Sequence, residues 1–195
     1  MTLDTRSSLL QQAELFIRTR GYSAFSYADL AERVGIRKAS IHHHFATKED
    51  LGCALVTDYR GRFQGDLEQI EESHRTATQR LRAYGNLFLV SFESGLLPFC
   101  CAMAVERSAL PESVRQQVHN FFEFQIAWLV KVTEEGLSAG EFRVEKSAEA
   151  IAVTLMSALE GGSVIGWALQ ERDQILASFD CVLNTVMHVE RSHPK

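Results

Sequence analysis

Several things are scarce in this chain, and each scarcity removes a class of protein. Three prolines among 195 residues, with 46% apolar residues, exclude a disordered or low-complexity chain. Four cysteines (Cys53, Cys100, Cys101 and Cys181) show no CxxC or Cys/His metal spacing. Neighbours such as Cys100 and Cys101 cannot bond each other without strain, so a disulfide-stapled scaffold is excluded and a reducing compartment is expected. No charged-then-apolar leader pattern opens the sequence and no apolar run approaches the ~18 residues of a membrane span, so the expectation is a soluble, cytoplasmic protein without a membrane partner. Ser/His/Asp order, paired carboxylates and Gly-rich phosphate loops are also missing, and with them the usual marks of catalysis and of a bound cofactor. What remains is a chain long enough to bury roughly 70% of its unfolded surface in a real core.

An excess of basic charge is missing too, since the net charge is −5. Its distribution reverses the first impression that nucleic acid is excluded. Residues 1–60 carry eight Lys/Arg against seven Asp/Glu, plus three His, whereas residues 61–195 carry twelve against eighteen. The acid belongs to the C-terminal part, and the basic groups of the N-terminal part gather on one short segment. So weak a footprint implies modest non-specific affinity and dimeric binding.

That segment lies in residues 26–51, SYADLAERVGIRKASIHHHFATKEDL. Ser26, with Asp29 three positions on, is a helix N-cap with a capping-box partner. Tyr27, Leu30, Ala31 and Val34 follow at i, i+3, i+4 and i+7, so one face must be buried. Gly35 suits the left-handed conformation at a helix end, and Ile36 can fold back on the finished turn. The next helix, from about Arg37 to Phe45, has only Ile41 and Phe45 as an apolar seam. Its other faces carry Arg37, Lys38, Ser40, His42 and His43, which match phosphate oxygens and base edges, while small Ala39 permits close approach. Thr47 and Asp50 cap a third helix and put Lys48 at its first turn, a place for a phosphate. A short polar helix held by a narrow seam after a Gly turn is the reading half of a helix-turn-helix.

These residues resemble the DNA-binding domain of the TetR family of transcriptional regulators. The family's pattern of a Val-Gly-Val turn, a small residue, an aromatic, His and Phe, then Lys-Glu-Glu-Leu is matched by VGI, Ala39, His42, His43, His44 and Phe45, then Lys48, Glu49, Asp50 and Leu51. One departure is that His42 stands where the family usually has Tyr, so an imidazole replaces a phenol. The resemblance implies an all-α fold with two parts: a three-helix DNA-binding domain at 1–46 and a six-helix ligand-binding and dimerisation domain at 47–195. It also implies a repressor released from operator DNA by a small-molecule inducer. The candidate DNA-facing residues are Ser26, Tyr27, Arg37, Lys38, Ala39, Ser40, His42, His43 and Lys48.

In chain order, residues 5–20 form a helix with Leu9, Ala13, Phe16 and Ile17 inward and Arg6, Arg18 and Arg20 outward, stopped by Gly21. From Thr47 to about Ser73 a long helix carries Leu51, Leu55, Tyr59, Phe63, Leu67 and Ile70. A fifth helix, from about Thr76 to Glu93, contains LFLVSF, apolar nearly all round and so expected to be buried; Gly95 and Pro98 follow. FCCAMAVERSA and, after Pro111, a long helix ending near Gly140 come next. In them Phe99, Cys100, Met103, Phe121, Phe124 and Trp128, with Phe88 and Phe92 before and Glu160 after, are the candidate ligand-binding residues, although such a stripe at helical spacing is ordinarily core. Glu106, His119 and Glu160 are the polar groups expected inside. Residues 147–170 and 173–189 form the last two helices. On the first, Ile151, Leu155 and Leu159 make one row and Val153, Ser157, Gly161 and Val164 a second, so a second copy of the pair is the economical partner. This agrees with the resembled family's dimerisation through its last two helices.

The run His42, His43 and His44 invites a metal site, but successive helical residues point about 100° apart and cannot converge on one ion, so no metal is expected. A thiol-based sensor at Cys100 or Cys101, and a helical Cys/His enzyme using either with His119, are the rival readings.

Overall fold

The computed structural model describes residues 4–143 and 146–187, and among these the chain forms nine α-helices, one 3-10 turn and no strand, apart from a single antiparallel bridge between Phe142 and Met187. The helices are α1 (Thr5–Arg20), α2 (Tyr27–Val34), α3 (Lys38–His44), α4 (Lys48–Ser73), α5 (Ala77–Glu93), α6 (Phe99–Ala104), α7 (Glu112–Ser138), α8 (Ala148–Leu169) and α9 (Asp173–Val186), with the 3-10 turn at Arg107–Ala109. The all-helical class and the order of nine helices, with the helix-turn-helix segment near the start, agree with the sequence. The last helix was expected to reach 189; positions 188 and 189 lie outside the described residues.

The chain divides into two compact units: residues 1–65 with 94–123, and residues 66–93 with 124–195. The division falls inside α4 and α7.

In the first unit the core is the one read from the apolar stripes. Leu9, Ala13 and Ile17 of α1, Leu30 of α2, Ile41 of α3 and Leu51 of α4 are essentially inaccessible. Phe16 and Phe25 add a ring contact at 5.6 Å. Arg18 differs from expectation: it is 8% exposed, donating Nε–H to Leu97 O at 2.7 Å and pairing with Glu14 at 3.0 Å. Its head satisfies a loop carbonyl and lies over the Tyr59 ring at 6.0 Å, partners that a helical period cannot foresee. Behind it, Tyr59 meets Phe99 at 5.0 Å and Phe121 at 5.5 Å, and Phe63 meets Phe121 at 5.4 Å.

In the second unit α8 and α9 form the most extensive helix pair. Gly162 of α8 abuts the backbone of α9, where an added Cβ would collide with Ile175 O. Ile151, Leu155 and Leu159 of α8 face inward with Ile175, Phe179 and Leu183 of α9. The second row of α8 faces outward: Ser157 and Gly161 are exposed, and Val153, Val164, Ile165 and Leu169 retain between 44% and 56% of their surface. By length and composition α8 could also cross a membrane, with mean hydropathy 1.4 over an 18-residue window of which 44% is buried. Thr154, Ser157 and Glu160 interrupt it, which is why no continuous apolar run is visible in the sequence. In α5 the LFLVSF stretch is not buried all round. Leu81, Tyr84, Gly85, Phe88 and Leu89 form the inward stripe, and Val90, outside it, is 61% exposed.

Candidate nucleic-acid interface

The turn before α3 is built by two caps. Ser26 Oγ accepts from the N–H groups of Ala28 and Asp29, and Asp29 Oδ2 accepts from Ser26 N–H at 2.7 Å, completing a reciprocal box. Those bonds from Ser26 hold the Asp29 carboxyl below its ordinary range. At the other end Gly35 adopts φ 75°, its N–H donates to Ala31 O and Glu32 O, and Ile36 N–H donates to Ala31 O. This is the Schellman closure, which needs a residue that tolerates positive φ.

α3 starts at Lys38, one residue later than expected, because Arg37 sits at the cap in extended conformation. Of its seven residues only Ile41 is buried. Phe45, just past its end, is buried beneath the Arg6 guanidinium at 5.3 Å. Lys38, Ala39, Ser40, His42 and His43 are exposed, as is Arg37, and His44 is half-buried. A seven-residue helix cannot hold itself together in water, so its form depends on these two apolar anchors. The rest of its surface is a row of donors and ring edges open to a partner.

Three of the predicted DNA-facing residues are engaged elsewhere. Tyr27 is buried, and its hydroxyl donates to Thr47 O at 2.5 Å and Phe45 O at 3.1 Å. Burial, with a smaller contribution from Asp50, pushes its phenol up to about 12. Tyr27 therefore braces the junction of α3 and α4 from inside. Lys48 turns inward as well: Nζ donates to Tyr22 O at 2.6 Å and Phe25 O at 2.5 Å, over both rings at 4.6 and 4.2 Å. Burial lowers its pKa. Tyr22 returns the contact by donating its hydroxyl to Lys48 O at 3.1 Å. Lys48 thus clamps the loop between α1 and α2 rather than reaching outward for a phosphate. The physical reason is local: two loop carbonyls lie within reach of a flexible ammonium that two aromatic faces also attract. Ser26 is exposed, but its hydroxyl is occupied by the cap.

A further clamp on this loop escaped the sequence reading. Glu106, expected to face the interior, accepts from Ser23 N–H at 2.9 Å and lies against the bare Cα of Gly21, which has φ 95°. The only sequence signal was a glycine at the end of α1, already explained as a helix stop.

The candidate ligand-binding residues fall in both units. In the first, Phe99, Cys100, Met103 and Phe121 are buried. In the second, Phe88 and Trp128 are buried, while Phe92, Phe124 and Glu160 are half-buried. A polar pair lies beside the latter group that periodicity did not single out. Tyr84 donates its hydroxyl to Gln125 Oε1 at 2.8 Å, and its ring stacks on Trp128 at 5.5 Å. Gln125 is 1% exposed, and its amide Nε2 has no acceptor among the described residues. A buried donor without a partner costs about 1–3 kcal/mol. Trp128 in turn donates to Glu71 at 2.7 Å, and Lys131 pairs with the same carboxylate at 2.9 Å.

His119, expected inside, is exposed on α7 with Nε2 3.2 Å from Glu123, while Cys100 and Cys101 are buried. Burial suits an inert thiol better than a sensor. Among the described residues no group of three His, Cys, Asp or Glu is placed to hold a metal ion.

Comparison with known proteins bears on the same segment. Residues 9–54 match the family described as bacterial regulatory proteins, tetR family. The chain is 31% identical over 143 residues to the HTH-type transcriptional repressor KstR2 of Mycolicibacterium smegmatis, an alignment that covers 71% of this chain and 67% of that protein. The crystal structure of a TetR-family transcriptional regulator from Agrobacterium tumefaciens superposes with a TM-score of 0.90 at 32% identity, covering 94% of this chain and 97% of the other. A TetR transcriptional regulator from Legionella pneumophila superposes with a TM-score of 0.85 at 28% identity over 95% and 98% of the two chains.

Proposed function

Since the chain belongs to the TetR family of transcriptional regulators, we propose that it is a cytoplasmic repressor that binds operator DNA as a homodimer and leaves it on binding a small-molecule inducer. The observation that carries this reading is α3: one buried residue in seven, anchored by Ile41, with five side chains turned to solvent. Each copy of α3 enters a major groove, with half-sites about one helical turn apart or a little more. Arg37 and Lys38 reach base edges or nearby phosphates, Ala39 permits close approach, and Ser40, His42 and His43 grip backbone. Tyr27 and Lys48 hold the shape of the motif. The second copy covers the outward apolar row of α8, and the repressor named among the relatives supports the sign of the regulation.

The inducer enters the helical core of the C-terminal part, where Phe88 and Trp128 offer apolar and aromatic walls and the orphaned Gln125 amide offers a donor. Its chemistry is therefore an uncharged, ring-bearing molecule with a hydrogen-bond acceptor. A difference of ~2–3 kcal/mol in its affinity for the operator-competent and released poses changes operator occupancy about a hundredfold.

The test is fluorescence anisotropy with a duplex from upstream of the protein's own gene and a shuffled duplex of the same composition. Arg37→Ala is expected to cost ~1–3 kcal/mol on the upstream duplex and to narrow the difference between the two. Wild-type protein that binds both duplexes equally refutes the reading.

A further inference from the structure

Three histidines in succession leave α3 with side chains whose ordinary titration falls between roughly pH 5 and 8, on the very helix that faces DNA. They are not equivalent. His42 Nδ1 lies 3.0 Å from Ala46 O, and its ring stands edge-on to Tyr27 with centroids 5.0 Å apart. A carbonyl oxygen only accepts, so Nδ1 carries a hydrogen whether the ring is neutral or charged. Nε2 is then the one atom that changes. In the neutral ring it presents a lone pair; in the imidazolium it presents an N–H. A phosphate oxygen is an anion that only accepts, so it rejects the first form and pairs with the second.

We propose that His42 grips a backbone phosphate only as the imidazolium, so that each subunit takes up a proton at His42 Nε2 when it binds DNA. This rests on α3 being the DNA-facing helix. A tyrosine at the same place would donate its hydroxyl at any pH in the working range, so the replacement of that phenol by an imidazole converts a constant contact into a conditional one.

Charged and polar groups face His42 from each element around it. From α2, Tyr27 faces the ring with its hydroxyl bound to Thr47 O and Phe45 O. From α4, the Asp50 carboxylate accepts from the Thr47 amide at 2.9 Å and hydroxyl at 2.8 Å, and the Lys48 ammonium is turned to the carbonyls of Tyr22 and Phe25. From α1, the Arg6 guanidinium lies over Phe45. At the cap of its own helix stands Arg37, and on the helix Lys38, then His43 and the half-buried His44, whose rings are 5.7 Å apart.

The experiment measures affinity for the upstream and shuffled duplexes from about pH 5.5 to 8 at fixed ionic strength, for wild type, His42→Gln, His42→Tyr and His43→Gln. A phosphate contact makes no distinction between sequences, so wild type should tighten about tenfold from pH 8 to pH 6 on both duplexes. His42→Gln and His42→Tyr should lose the larger part of the pH dependence, whereas His43→Gln, at a ring that also faces the backbone, should lose the smaller part. Calorimetry in two buffers of different ionisation enthalpy should record proton uptake that loses its larger part with His42→Gln. A flat wild-type profile, or a His42→Gln variant that keeps the slope, overturns the proposal and leaves the DNA-binding reading standing. Failure of wild type to bind either duplex at any pH overturns both.

Discussion

Replacing Lys48 by alanine separates two roles that a lysine at the start of α4 can play. If its ammonium holds the α1–α2 loop, two charge-assisted hydrogen bonds, to Tyr22 O and Phe25 O, and two ring contacts disappear together. Hydrogen bonds to charged groups contribute ~1.5–3 kcal/mol each and cation–π contacts ~0.5–1. Water reaches this half-buried site and can partly serve the two carbonyls, which trims the total to about 3 kcal/mol. For a chain of this size that lowers Tm by roughly 6–12 °C. Urea or thermal unfolding gives the stability, and the salt dependence of DNA affinity gives the second readout. A lysine on a phosphate contributes about one unit to the slope of log K against log[salt], whereas an internal clamp contributes none. The expected result is a destabilised variant with an unchanged slope. An unfolding curve superimposed on wild type, together with a slope reduced by about one per subunit, would refute the internal assignment.

Two further outcomes follow from the same geometry. Gly21→Ala would drive a Cβ into Glu106 Oε1 at a residue with φ 95°, so it should destabilise by ~1–3 kcal/mol in urea unfolding, and a change within about 0.5 kcal/mol would contradict the clamp. The Lys131 hydrogen bond, aided by the Trp128 N–H and opposed by burial, holds the Glu71 carboxyl below the ordinary glutamate value of 4.5. Its stabilising contribution is therefore complete above that value and lost as pH falls through the lowered one. Glu71→Gln should be less stable than wild type at neutral pH, with the gap closing on acidification below 4.5; a gap independent of pH in denaturant titrations would contradict it.

Features set by neighbours in the chain were legible in advance. The box formed by Ser26 and Asp29, the turn at Gly35, the seam of Ile41 and Phe45 and the two faces of α8 all follow from spacings of one to four residues, which is the range over which a helix repeats. What escaped depends on groups distant in sequence. Lys48 finds carbonyls 26 and 23 positions away in a loop, and Arg18 finds Leu97 O 79 positions away. Neither a helical period nor a charge count locates such acceptors, so both side chains looked like surface charge. Tyr27 was placed on the correct buried face by its spacing, yet it was also counted among the DNA-facing residues. Gln125 was overlooked because a lone amide within an aromatic run reads as filler until its neighbour, Tyr84, is known.

The uncovered apolar row on α8 has a consequence for the gene as well as the molecule. On the proposed dimer, subunits whose outward valines, isoleucine and leucine meet a mate would mix, so a copy stripped of its α3 side chains but otherwise intact would pair with functional ones and disable them. A cell carrying both alleles should then lose regulation out of proportion to the dose of the defective one. Dilution should act in the same direction, because each subunit released from its mate returns those side chains to water.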